Sequence, residues 1–180
     1  MICIIHYMIL GVLIGRFQLP HCGHEALINE ALRKCNHLAI LLGSYSLFRT
    51  SKNPFMFTER SDMLRMMLSD AGNVSFHPIR DYDTDTEWLA AVRDTVYGIS
   101  HNYSTIRLFG YKKDESSYYL DKFPEYEYNL VSEGFHEGLS STPLRVEYLR
   151  TGHIDESKVP EKVIIYLDKL YRSYFLLHAP

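Results

Sequence analysis

A chain of 180 residues with 46% apolar side chains is long enough to bury the core of one domain, expected over residues 1–180, and too apolar to stay disordered. Its formal net charge of −3 excludes a basic footprint for non-specific nucleic-acid binding. Three cysteines without paired spacing suit a reducing cytoplasm better than a disulfide framework.

The first predicted element is a buried strand, Ile9–Ile14. The apolar stretch Met1–Ile14 around it is too short to span a bilayer, is interrupted by His6 and lacks a basic leader, so neither a membrane anchor nor a signal peptide is expected. Met8 would serve as a start, which makes residues 1–7 an N-terminal extension. Gly15–His24 then reads Gly-Arg-Phe-Gln-Leu-Pro-His-Cys-Gly-His, before a helical pattern over 24–35 with Leu27, Ile28, Ala31, Leu32 and Cys35 on one face. A strand feeding a tight turn and a helix N-terminus makes an anion site, because unpaired N–H groups and the helix dipole converge there. His21 and His24 stand one helical turn apart and can face one phosphate chain, while Gly15 and Gly23 let a ligand approach the backbone. A zinc site from His21, Cys22 and His24 is the competing reading, but no second Cys/His pair has ligand spacing.

The second strand, Leu38–Leu42, is followed by Gly43-Ser44 and the polar loop Arg49–Phe55, in which Asn53-Pro54 marks a turn. A helix over 58–71 and a strand over Val74–His77 come next. Asp81–Trp88 alternates three aspartates like the start of a calcium loop, yet lacks that loop's glycine and closing glutamate. The helix over 87–99 places Trp88, Leu89, Val92, Val96 and Ile99 at helical spacing with Thr86 as N-cap, a face on which Trp88 reads as core. Strands follow at Ile106–Phe109 and, more weakly, Tyr126–Val131. Near the C-terminus, Leu-Ser-Ser-Thr-Pro-Leu-Arg (Leu139–Arg145) allows Ser141 or Thr142 to cap a helix starting at Pro143, with Arg145 on its first turn and Gly152 as its stop. A last helix runs from Pro160 to about Leu176. The alternation predicts an α/β, Rossmann-like fold: a doubly wound, parallel, five-stranded sheet with helices on both faces and ligands at the carboxyl ends of the strands.

The pattern Gly-x-Phe-x-x-x-His-x-Gly-His over residues 15–24 resembles the HxGH signature of the nucleotidylyltransferase superfamily, and its Gly-Arg-Phe-Gln opening is similar to nicotinamide-nucleotide (NMN) adenylyltransferases. The family's proline falls at the position of Leu19, whereas here it is Pro20; both histidines stay in register. Leu139–Arg145 resembles the second signature, Ile-Ser-x-Thr-x-x-Arg. Gly110–Phe123 resembles the adenylyltransferase half of proteins fused to a Nudix hydrolase, with Tyr126 where they carry tryptophan; no Nudix box follows, so no hydrolase half is expected.

The resemblance implies transfer of AMP from ATP to NMN, giving NAD and pyrophosphate by direct in-line attack, with Mg²⁺ on the triphosphate and no tight metal site on the protein. It assigns catalysis to His21, His24, Arg145 and Lys52, and ATP binding to Gly15, Arg16, Phe17, Gln18, Gly23, Ser140, Ser141 and Thr142. Gly43, Ser44, Asp81 and Trp88 would take NMN, Trp88 by stacking on the nicotinamide ring. Arg60 fits the pattern but reads as a structural salt bridge. The family's habit adds a cytoplasmic homo-oligomer with small-molecule substrates and neither nucleic-acid nor membrane partners. The alternatives are a transferase for another phosphorylated acceptor, nicotinic acid mononucleotide among them, and a non-catalytic NAD or ATP sensor. A tRNA-synthetase fragment is not expected, since the chain shows no Lys-Met-Ser-Lys-Ser-type loop and no anticodon-binding region.

Overall fold

The structure, a computed structural model, describes residues 8–69, 71–111, 115–130 and 139–171. Strands and helices alternate: β1 (Ile9–Gly15), α1 (Cys22–Leu32), β2 (His37–Leu42), α2 (Phe57–Met67), β3 (Val74–Pro78), α3 (Asp85–Ile99), β4 (Thr105–Gly110), a 3₁₀ helix (Glu115–Lys122), β5 (Glu127–Leu130), α4 (Ser141–Thr151) and α5 (Glu161–Leu170). All four strand pairings are parallel and the order is β3-β2-β1-β4-β5, as the alternation predicts. The end of the expected last helix, beyond residue 171, lies outside the described residues, as do residues 1–7.

The described residues form two compact units. The first holds the whole sheet, α3, the 3₁₀ helix and the C-terminal half of α1. In β1, every residue from Leu10 to Ile14 is buried, the mark of a parallel strand covered on both faces. Leu10, Val12 and Ile14 pack with Ala39, Leu41, Leu108 and the α3 residues Val92 and Val96. On the opposite face, a Cβ at Gly11 would stand 2.7 Å from Cys35 Sγ, so only glycine admits the α1–β2 connection that closely. The sheet order reverses beside β1, which makes the carboxyl ends of β1 and β4 the place where this architecture receives ligands.

The second unit holds residues 17–26, the loop from residue 47, and α2, α4 and α5. Buried Tyr148 of α4 joins its parts: its ring lies 5.9 Å from Phe55 and its hydroxyl donates to Leu167 O of α5 at 2.7 Å. Arg49, held at φ 58°, meets buried Glu59 in a two-point ion pair at 2.7 and 2.6 Å. No helix among the described residues is long and apolar enough to cross a membrane.

Two caps differ from expectation. Thr84, not Thr86, caps α3: its Oγ1 accepts from Glu87 N–H at 3.2 Å and donates to Glu87 Oε2 at 2.9 Å. Only Thr84 has a glutamate three residues on, the spacing of a capping box. In α4 the cap is Ser140, which accepts from Thr142 N–H at 3.4 Å and puts Pro143 third in the helix, where its missing N–H has no intrahelical partner to lose.

On the α3 face of β2 and β3, one hydroxyl serves two imidazoles: Ser75 Oγ lies 2.8 Å from Nε2 of both His37 and His77. Burial lowers the pKa of both rings, and the charge on His37 lowers that of His77 further. Between the depressed folded values and the unfolded value near 6.5, the unfolded chain binds more protons, so stability falls on acidification. The urea midpoint should therefore drop as pH passes below about 6.5, with a shallower drop in His77→Gln; equal slopes in the two proteins would contradict the assignment. Gly152 closes α4 at φ 72°, where a Cβ would sit 2.6 Å from the Tyr171 ring. Left-handed strain alone costs about 1–2 kcal/mol, so Gly152→Ala should lower Tm by about 2–8 °C in calorimetry; an unchanged Tm would show that the cap carries no strain.

Candidate active site

Leaving β1, the chain turns at Phe17, whose φ of 49° and burial tuck the ring in beside His24 at 4.7 Å. His21 becomes the cap of α1, its carbonyl accepting from His24 and Glu25 N–H at 2.8 and 3.1 Å. The His21 and His24 rings stack with centroids 3.8 Å apart and planes 24° from parallel. His24 Nδ1 accepts from the His21 backbone N–H at 3.3 Å, which in neutral imidazole puts the proton on Nε2 and makes that nitrogen a donor.

The helix end offers fewer backbone donors than the sequence suggests. His21 N–H is taken by His24 Nδ1 and Cys22 N–H by Lys158 O at 2.9 Å, which leaves Gly23 with the first-turn N–H unpaired among the described residues. At α4, Ser140 caps, Pro143 has no N–H, and Ser141 Oγ donates to Leu19 O at 2.9 Å, so its backbone N–H is the donor left at that end.

Arg145 of α4 is buried. Its Nη1 donates to Gln18 O at 2.8 Å, its Nε to Ser51 O at 3.0 Å and its Nη2 to Thr142 Oγ1 at 3.4 Å. Gln18, expected at the phosphates, instead uses both ends of its amide on Phe55: Nε2 donates to Phe55 O and Phe55 N–H donates to Oε1, both at 3.0 Å. Lys52 lies in the loop between these ties with its side chain exposed. The second unit thus brings together Phe17, Gln18, His21, Gly23, His24, Lys52, Ser140, Ser141, Thr142 and Arg145. Arg60 is fully buried in α2, and on the same helix Glu59 pairs with Arg49. Nothing in the spacing of Arg49 and Glu59 announced that pair.

In the first unit, Gly15 ends β1 and its carbonyl accepts from Gly43 N–H at 2.9 Å, while Arg16 is exposed. Ser44, buried at φ 51°, donates from Oγ to Asp81 Oδ1 at 3.0 Å, a contact between two separately named candidates. Trp88 is half-buried, edge-on to Tyr119 at 5.7 Å and 6.2 Å from Phe123. The Tyr119 hydroxyl donates to Ile14 O at 3.0 Å, and burial pushes its pKa up to about 12. Tyr119 and Phe123, aromatic neighbours of Trp88 that sequence reading did not single out, pack with the core beneath α3; their run Ser-Tyr-Tyr-Leu-Asp-Lys-Phe was the available signal.

Comparison with known proteins gives a consistent family. The cytidylyltransferase-like family profile matches residues 12–147. A nicotinamide/nicotinic acid mononucleotide adenylyltransferase of Acinetobacter baylyi is 39% identical over 158 residues, 87% of this chain and 83% of that protein. A nicotinamide-nucleotide adenylyltransferase of Methanolobus tindarius is 32% identical over 164 residues, 87% of this chain and 86% of that one. Among solved structures, a bifunctional NMN adenylyltransferase/ADP-ribose pyrophosphatase of Francisella tularensis, complexed with AMP and a manganese ion, superposes with a TM-score of 0.81 at 29% identity. That match takes in 93% of this chain, which spans 50% of the Francisella protein's length. The chain belongs to the cytidylyltransferase-like family and, within it, to the nicotinamide-nucleotide adenylyltransferases.

Proposed function

We propose that this chain joins ATP to NMN, releasing NAD and pyrophosphate. A 5′-phosphate oxygen of NMN attacks the α-phosphorus of ATP in line, the bond from that phosphorus to the β-phosphate bridging oxygen breaks, and pyrophosphate leaves with the bond's electron pair. Such a reaction gains mainly from positioning and from stabilising charge that moves between oxygens. The stacked His21–His24 pair is the observation that carries the reading, because the His21 N–H fixes the His24 ring in the tautomer that carries its proton on Nε2, the form that donates to a phosphate oxygen.

Gly23 and Ser141 N–H would hold phosphate oxygens at two helix N-termini, with Ser140 and Thr142 shaping the second. Arg145 would place its fixed positive charge beside the leaving pyrophosphate, while Lys52 and Arg16 would offset the approach of two anions. Mg²⁺ would enter with ATP and offset part of the triphosphate's negative charge. No three His, Cys, Asp or Glu side chains among the described residues converge on one point. The half-buried Trp88 indole would seat the nicotinamide, and the Ser44–Asp81 pair its polar substituents.

Losing one oriented donor costs about 2.7–4 kcal/mol of transition-state stabilisation. His24→Ala should therefore lower kcat by about 10²–10³ with its unfolding midpoint kept. Trp88→Ala should raise KM for NMN about two- to thirtyfold and leave KM for ATP unchanged. Steady-state kinetics with each substrate varied checks both; full kcat in a folded His24→Ala protein removes the histidine role, and an unmoved KM for NMN removes the stacking.

A further inference from the structure

The loop that carries Lys52 is tied on both sides of that residue to a single position in the histidine turn. On the N-terminal side, Ser51 O accepts from Arg145 Nε, and the same guanidinium grips Gln18 O. On the C-terminal side, the Gln18 amide pairs with both backbone groups of Phe55. Inside the loop, Thr50 N–H donates to Asn53 O at 3.2 Å, Asn53 N–H donates to Thr50 Oγ1 at 3.0 Å, and Arg49 Nη1 holds Pro54 O at 2.8 Å. Gln18, Asn53 and Phe55 are all at most 3% exposed, so these bonds are shielded from competing water. The one long side chain left exposed between the ties is that of Lys52, which makes no ion pair among the described residues.

We propose that Gln18 is a positioning residue for Lys52: its buried amide splints the 49–55 loop to the histidine turn, so that the ammonium is presented to the triphosphate from a fixed backbone. The inference rests on the adenylyl-transfer reading above and gives Gln18 a part that direct phosphate contact would not. A mobile loop would have to order its backbone each time ATP bound, at a cost in conformational entropy for every residue fixed. Pairing both polar ends of a buried side chain with one backbone residue removes that step before the ligand arrives.

The test is a double-mutant cycle between Gln18→Ala and Lys52→Ala, read as kcat/KM for ATP and as ATP affinity by calorimetry without NMN. Misplacing a charge by about an ångström costs up to ~10²-fold, so Gln18→Ala should lower kcat/KM for ATP ten- to a hundredfold, with KM for NMN unchanged. In the Lys52→Ala background the same substitution should cost less than about threefold. Amide exchange at residues 50–55 should quicken in Gln18→Ala while that of α2 stays slow. If Gln18→Ala loses its cooperative unfolding transition, Gln18→Glu replaces it in the cycle: it keeps the acceptor for Phe55 N–H and sets an oxygen against the Phe55 carbonyl. Fold losses that simply multiply, or unchanged exchange in the loop, would overturn the proposal. Wild-type turnover of NMN tests the underlying reading separately, because the exchange measurement and the ATP-affinity cycle need no acceptor.

Discussion

Buried polar groups must be paired, and that constraint shapes the histidine turn and everything that meets it. From Phe17 to His21 the chain is buried, although it carries carbonyls and a side-chain amide that a core cannot leave unsatisfied. Its partners come from far along the sequence: Leu19 O takes the Ser141 hydroxyl, Gln18 O takes Arg145, and the Gln18 amide takes Phe55. Satisfying the turn thereby fixes the start of α4 and the loop after β2. Removing one partner would strand another, at a cost of about 1–3 kcal/mol for each buried group left alone.

The same pairing divides the cations between two kinds of work. Arg145 is buried and bonded to two carbonyls and a hydroxyl, so its charge is stationary. Arg49 is neutralised by Glu59 and serves the loop's shape. Lys52 alone among the loop's long cations extends into solvent. A compact, hydrated ammonium on a flexible stem suits a charge that meets anions arriving from solvent, whereas a planar guanidinium suits the fork between fixed carbonyls.

The periodicity of the sequence reveals the sheet and helices, because a parallel strand buried on both faces is a continuous apolar run and α3 shows one apolar stripe. The histidines are legible too: their spacing is a local property of a helix start. Less legible are features set by distant partners. That Cys22 N–H would be covered by Lys158 O, or that Gln18 would turn to Phe55 rather than outward, depends on residues 136 and 37 positions away and leaves no periodic trace. The caps sit between these cases. Thr84 was readable from Glu87, whereas Ser140 won over Ser141 because the Ser141 hydroxyl is drawn to Leu19.

A product measurement tests adenylyl transfer most directly. Purified protein is incubated with ATP and Mg²⁺, and with NMN or nicotinic acid mononucleotide in parallel, and dinucleotide and pyrophosphate are both followed. Adenylyl transfer to NMN predicts NAD and pyrophosphate appearing in equal amounts. ATP binding without dinucleotide from either acceptor would contradict it, and would make the paired histidines part of a nucleotide-binding protein rather than a transferase.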